Sequence, residues 1–98
     1  MPYVRINLVE YPSPEAMQEN SDSLNVDAGN IFPEIMLLAG IKLTDTSQMA
    51  ISIYPDKEAA DKAIAQRDAH HSTLDLTPVM SHEGDLSFYF DRGQKIEP

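Results

Sequence analysis

Hydrophobic and polar positions alternate from Tyr3 to Tyr11, with Val4, Ile6 and Leu8 on one side and Arg5, Asn7 and Val9 on the other. That period of two predicts a first strand. The segment Pro12-Ser13-Pro14-Glu15 ends it and starts a helix: Ser13 can cap, Pro14 suits the first helical position, and Glu15 favours the positive end of the helix dipole. The apolar face of this helix recurs at Met17, Leu24, Ala28 and Ile31. It runs through weak helix formers, Asn20-Ser21-Asp22-Ser23 and Asn25, and Gly29-Asn30 is expected to end or fray it. Glu34 to Leu43 is apolar on both sides, Thr44-Asp45-Thr46-Ser47 has turn chemistry, and Gln48 to Tyr54 returns with Ile51 and Ile53. These segments predict a hairpin. Pro55 closes it, and Asp56 is a good cap for an Ala-rich helix from Lys57 to about Ser72. Thr77-Pro78 and His82-Glu83-Gly84 read as loop, so the final strand is expected at Asp85 to Asp91, with Leu86, Phe88 and Phe90 set against Ser87, Tyr89 and Asp91. Gly93 to Pro98 is a tail.

The order strand, helix, strand, strand, helix, strand predicts one α+β domain over residues 1–98 with the ferredoxin-like βαββαβ arrangement: a four-stranded antiparallel sheet with two helices on one face. Two helices cover one side of such a sheet, yet the strands carry apolar residues on both sides. The open side needs a partner, and a second copy of the chain is the natural one, so a homodimer is expected.

Composition narrows the function classes. The chain has 98 residues and a net charge of −9, and the acidic excess is spread over both halves. No basic face exists to neutralise phosphates, which argues against nucleic acid as a partner. There is no cysteine, which excludes a thiolate nucleophile, a thiolate metal site and a disulfide framework. The longest apolar run, Ile35 to Ile41, is far short of the ~20 residues that cross a bilayer, so no membrane association is expected. The start of the chain has no secretory pattern, and the expected location is cytoplasmic.

Candidate chemistry sits on the second helix and the polar side of the sheet. On a helical wheel, Ala59, Ala60, Ala63, Ile64, Arg67, His70, His71 and Leu74 share one side, which turns from apolar to polar along its length. Arg67 could hold a carboxylate or phenolate and a histidine could relay a proton. The structural alternative is that Arg67 snorkels at the core edge while the histidines suit the negative helix end. On the sheet, Arg5, Asn7, Ser52, Tyr54 and Tyr89 occupy the polar phase. Facing the helices, Asn7, Tyr54, Tyr89, Arg67 and a histidine would line a cleft suited to a planar aromatic ligand; facing the partner, they would be interface polar groups. Pattern alone leaves both open. Neighbouring helical histidines diverge by roughly 100° and cannot chelate together, so no metal site is expected.

Pro33 through Tyr54, followed by Tyr54-Pro55-Asp56-Lys57-Glu58-Ala59-Ala60-Asp61-Lys62-Ala63, resembles the antibiotic biosynthesis monooxygenase family of dimeric α+β barrels, in which a hairpin runs into an aromatic residue and then a short helix start with Glu-Ala. The resemblance implies cofactor-independent oxygenation of an aromatic compound in a pocket between sheet and helices. In such a pocket Asn7 and a helix histidine, His71, are the candidates to orient or deprotonate the substrate, the polar positions Tyr54, Arg67, His70 and Tyr89 are the candidates to bind it, and no cofactor is expected. Family members often carry a pocket Trp near the end of the third strand, where this chain has Tyr54. The alternative is a noncatalytic ligand-binding or interaction module of the same fold. A third reading rests on Met1-Pro2-Tyr3-Val4-Arg5-Ile6, which is similar to the start of tautomerases that use an N-terminal proline amine as base.

Overall fold

The structure, a computed structural model, describes residues 1–71 and 75–98, with His71 described by its backbone alone. The elements are β1 (Tyr3–Glu10), α1 (Pro14–Ile31), β2 (Leu37–Lys42), β3 (Ser47–Tyr54), α2 (Lys57–His71) and β4 (Thr77–Asp85). The four strands form one antiparallel sheet in the order β2-β3-β1-β4. This is the expected βαββαβ architecture.

Local chemistry explains both helix starts. The Ser13 side chain accepts a hydrogen bond from Ala16 N at 3.1 Å, and Pro14 takes the first turn, where its missing N–H costs nothing. Asp56 Oδ1 accepts from Ala59 N at 2.8 Å to cap α2. The expected stop at Gly29-Asn30 does not occur. α1 continues to Ile31, and the Phe32 N–H bonds back to Ala28 O. The expected end of α2 at Ser72 and the inward position Leu74 lie outside the described residues.

The last strand differs most from expectation: it occupies Thr77–Asp85 rather than Asp85 to Asp91. Length of the neighbouring strand decides this. Asp85 pairs with Tyr3, the first residue of β1, and beyond it Leu86 N finds one last acceptor in Pro2 O. Leu86, Phe88 and Phe90 alternate like a strand but have no strand to pair with, and Phe88 and Phe90 are 85% and 73% exposed. Pro78 is tolerated because β4 is an edge strand and the register slips beside it, between Leu8 and Val9.

The odd residues of β1 point at the helices. Tyr3, Phe32, Tyr54, Ala59, Ala60 and Ala63 form one buried cluster, and Val9, Tyr11 and Met17 form a second. Alanines at 59, 60 and 63 let α2 settle close to the sheet. The opposite face carries Val4, Ile6, Leu8, Met49 and Ile51, all half-buried, and neither helix lies on it. No helix among the described residues is long and apolar enough to cross a membrane.

Candidate functional site: a cleft between sheet and helices

The polar phase of the sheet faces the helices, which settles the choice that pattern alone leaves open. Asn7 of β1, Tyr54 of β3, and Arg67 and His70 of α2 line one cleft together with the apolar Leu24, Phe32, Leu38 and Ile64. The cleft encloses about 60 Å³. Its hollow exists because Asn7 is paired with the small Ala50 on β3 and overlooked by Ala63 on α2.

Tyr89 is not part of it. That residue lies in the segment after β4, exposed, with its hydroxyl donating to Asp91 Oδ2 at 3.1 Å. The expectation of Tyr89 in the cleft fails for the same reason as the last strand: the chain has left the sheet. The side chain of His71 lies outside the described residues.

At one end of the cleft the buried Arg5 is engaged at all three nitrogens. Its Nε donates to Glu83 Oε2 at 2.6 Å, its Nη2 to Asp61 Oδ1 at 2.9 Å, and its Nη1 to the Ala60 carbonyl. Lys57 Nζ donates to the other Asp61 oxygen at 3.0 Å. The Arg5 guanidinium holds the Glu83 carboxyl below the ordinary carboxylate range, and the Lys57 hydrogen bond, aided by Arg5, does the same for Asp61. Two cations and two carboxylates thus cancel locally, and each of the three Arg5 nitrogens already makes a hydrogen bond.

At the other end a chain of hydrogen-bonded side chains crosses three elements. His70 Nε2 lies 2.7 Å from Asn20 Oδ1. Asn20 Nδ2 donates to Tyr11 Oη at 2.6 Å, Tyr11 Oη donates to Gln48 Oε1 at 3.1 Å, and Gln48 Nε2 donates to Ser21 Oγ at 3.0 Å. Asn20 and Tyr11 are buried. Burial pushes the Tyr11 phenol up, against the Asn20 hydrogen bond, and pushes the Tyr54 phenol up, against Ser52, Arg5 and Arg67. Both phenols are therefore neutral donors at pH 7.

Between these ends two groups have donors to spare. The Asn7 carboxamide has no side-chain partner among the described residues, and the one ion pair of Arg67 among them is a loose 3.7 Å contact with the exposed Asp68. A small molecule in the cleft would meet an amide, a guanidinium, a phenol and an imidazole in an otherwise apolar lining. No cluster of metal-ligating side chains exists among the described residues.

Sequence reasoning passes over Tyr11, Asn20 and Gln48 as site residues, although signals for them exist. Tyr11 continues the odd phase of β1, Gln48 shares the phase of Ala50, Ser52 and Tyr54, and Asn20 sits between Met17 and Leu24 on the inner stripe of α1.

No family model and no curated protein sequence matches the chain. Solved structures do. A dimeric ferredoxin-like protein from an uncultured marine organism superposes with a TM-score of 0.67 at 10% identity, covering 94% of this chain and all of that one. HapK from Hahella chejuensis gives 0.70 at 11% identity, covering 95% of this chain and all of that one. SnoaB, a cofactor-independent oxygenase from Streptomyces nogalater, gives 0.59 at 18% identity, covering 95% of this chain and 98% of that one. At such identities the likeness is one of fold. The chain therefore has the fold of the dimeric ferredoxin-like proteins, a fold that also serves a cofactor-independent oxygenase.

Proposed function

We propose that the cleft binds a small planar compound with an acidic hydroxyl or methylene, and that the protein oxygenates it without a cofactor. The observation that carries this reading is the pair of unengaged groups, Asn7 and Arg67, facing a mostly apolar cavity beside His70. In this proposal Arg67 stabilises the anion that forms on deprotonation, Asn7 and the neutral Tyr54 phenol hold its oxygens, and a histidine at the end of α2 takes the proton. Among the described side chains, His70 is the histidine that lines the cleft. The electron-rich anion then supplies the electrons that dioxygen requires: an activated methylene plus O₂ gives a ketone plus water.

Size sets a condition on binding. A cavity of about 60 Å³ is smaller than the roughly 150 Å³ that accepts a single benzene ring. A ring compound enters when the rim opens, and the partly exposed Ile64 and Arg67 are the rim side chains able to swing outward.

A hydroxylated anthrone in air tests the reading. Wild-type protein is expected to consume one O₂ per ketone formed. Asn7→Ala and His70→Ala should each lower turnover at least tenfold, about 1.4 kcal/mol in the barrier, with the circular dichroism spectrum unchanged. His71→Ala is the companion measurement and assigns the proton acceptor between the two histidines. A compound that binds and is recovered intact from air would instead make the protein a ligand-binding module.

A homodimer accompanies this proposal. The half-buried apolar face carrying Val4, Ile6, Leu8, Met49 and Ile51 is the surface a second copy would cover, and solved proteins of this fold are described as dimeric. Native mass spectrometry should show two subunits, and Ile6→Asp should yield monomers. Trimers or hexamers with a free Pro2 amine would favour the proline-based tautomerase instead.

A further inference from the structure

Beyond Asp85 the chain leaves its sheet carrying its two most exposed aromatic side chains, Phe88 and Phe90. Phe88 is continuous with the open face of the sheet. Together with Val4, Ile6 and Gly84 it lines a trough of about 360 Å³, more than the roughly 150 Å³ that accepts a benzene ring. Gly84 pairs with Val4 and adds no side chain, and a Cβ there would meet nothing within 4 Å outside its chain neighbours. Phe90 lies outside the trough, with the Arg92 guanidinium 5.1 Å from its ring centre. Leu86 to Phe90 contains no Gly, Pro or Asn, and the first bend comes at Gly93, where φ is +80° and the N–H donates to Asp91 Oδ1 at 2.6 Å. The aromatics are thus carried outward before the chain turns.

We infer that Leu86 to Phe90 is an arm that each copy of this chain extends to a second copy, where Phe90 enters the trough over Gly84. The inference rests on the homodimer reading and adds to it a contact outside the facing sheets. Four observations favour a second copy as the occupant. The trough shares Val4 and Ile6 with the open apolar face, so the two surfaces are one. Reach is sufficient: five residues span up to ~17 Å when extended, and packed sheets lie ~10 Å apart. Area matters too, because Phe88 and Phe90 offer roughly 300 Å² per copy toward the ~800 Å² per partner of a stable interface. Charge is the fourth. Asp91 and Glu97 are matched by Arg92 and Lys95, so the net charge of −9 lies on the rest of the chain, and the tail is the neutral piece that can lie against another acidic copy. Arg92, two residues past Phe90, would meet the exposed Asp85 at the edge of the trough. Plug and socket sit on the same chain, so a two-fold axis satisfies both at once and closes the assembly at two subunits.

The test removes the plug in one protein and fills the socket in another. Phe90→Ser deletes the exposed ring, and Gly84→Leu places a side chain in the trough, where the open space allows it. Circular dichroism checks that both remain folded. Each homodimer loses two arm contacts and should dissociate at least about a hundredfold more readily in a native mass spectrometry dilution series, about tenfold for each buried phenylalanine. A mixture of the two variants is the decisive measurement. The mixed dimer regains one contact, the intact Phe90 of one copy meeting the intact Gly84 trough of the other, and should exceed the statistical 1:2:1 share. A statistical share would mean that each tail serves its own chain, and wild-type affinity in both homodimers would mean that another occupant fills the trough; either result overturns the arm. Open-ended oligomers would overturn its reciprocity. A wild-type chain that stays monomeric would overturn the homodimer reading itself, whereas a wild-type dimer indifferent to both substitutions overturns the arm alone.

Discussion

The two ends of the cleft bury polar side chains to the same depth by different means. Arg5 is 5% exposed and Asn20 is 4% exposed. Around Arg5 the compensation is charge: Glu83 and Asp61, themselves 41% and 48% exposed, need only be near and negative. Around Asn20 the compensation is direction, because neutral amides and hydroxyls succeed only when every donor meets an acceptor. The first end tolerates reorientation and responds to pH and salt. The second responds to swaps that preserve shape but reverse a hydrogen bond.

The largest effect expected from breaking this contrast is at Arg5. Arg5→Met removes a buried cation with three partners, and urea denaturation should show a loss of about 3 kcal/mol. The carboxylates left behind reach water, which keeps the cost from rising further. Arg5→Lys should recover less than half of it, since one ammonium cannot span Glu83, Asp61 and the Ala60 carbonyl. Asn20→Leu comes next, at about 2 kcal/mol in the same assay, because Tyr11 and His70 each lose a buried partner.

Acid sharpens the contrast. Glu83 and Asp61 titrate lower in the folded chain than in the unfolded one, so their stabilisation is present above the range where free carboxylates titrate, about pH 4 to 5, and is lost as pH falls through the lower folded values. Unfolding midpoints measured from pH 6 to pH 3 should fall in the wild type and fall less in Arg5→Met. The smallest effect belongs to the exposed Lys57–Asp61 pair. Lys57→Met should move the urea midpoint least of these variants, and 1 M salt should abolish even that difference.

How far the fold can be read in advance depended on where its information lies. β1, the β2–β3 hairpin, both helix caps and the Ala-rich inner side of α2 are local, and Ser13, Asp56 and the alternation of β1 announce them. β4 is not local. Its residues Thr77 to Asp85 are poor advertisements for a strand, and their pairing is dictated by how far β1 extends. The weak helix formers Asn20 and Ser21 likewise stay helical because the sheet holds them, through Tyr11 and Gln48. The same logic governs the cleft. Asn7, Tyr54, Arg67 and His70 stand out as polar letters in apolar patterns, but strand phase relative to the helices depends on register, which no single strand encodes. Tyr89 stood in the right phase of a strand that does not form.

One consequence of the alternation in β1 concerns how this protein can change over evolution. Consecutive residues of that strand address two separate surfaces, Arg5 and Asn7 the cleft, Val4 and Ile6 the open face. Replacing one letter alters one surface and spares the other, so the two can drift independently within a single eight-residue word. Inserting or deleting one letter exchanges them, driving a guanidinium outward and isoleucine into the polar chamber at a stroke. The strand is thus permissive to spelling changes and closed to changes of length, and indels in relatives of this fold should gather in the connecting segments instead.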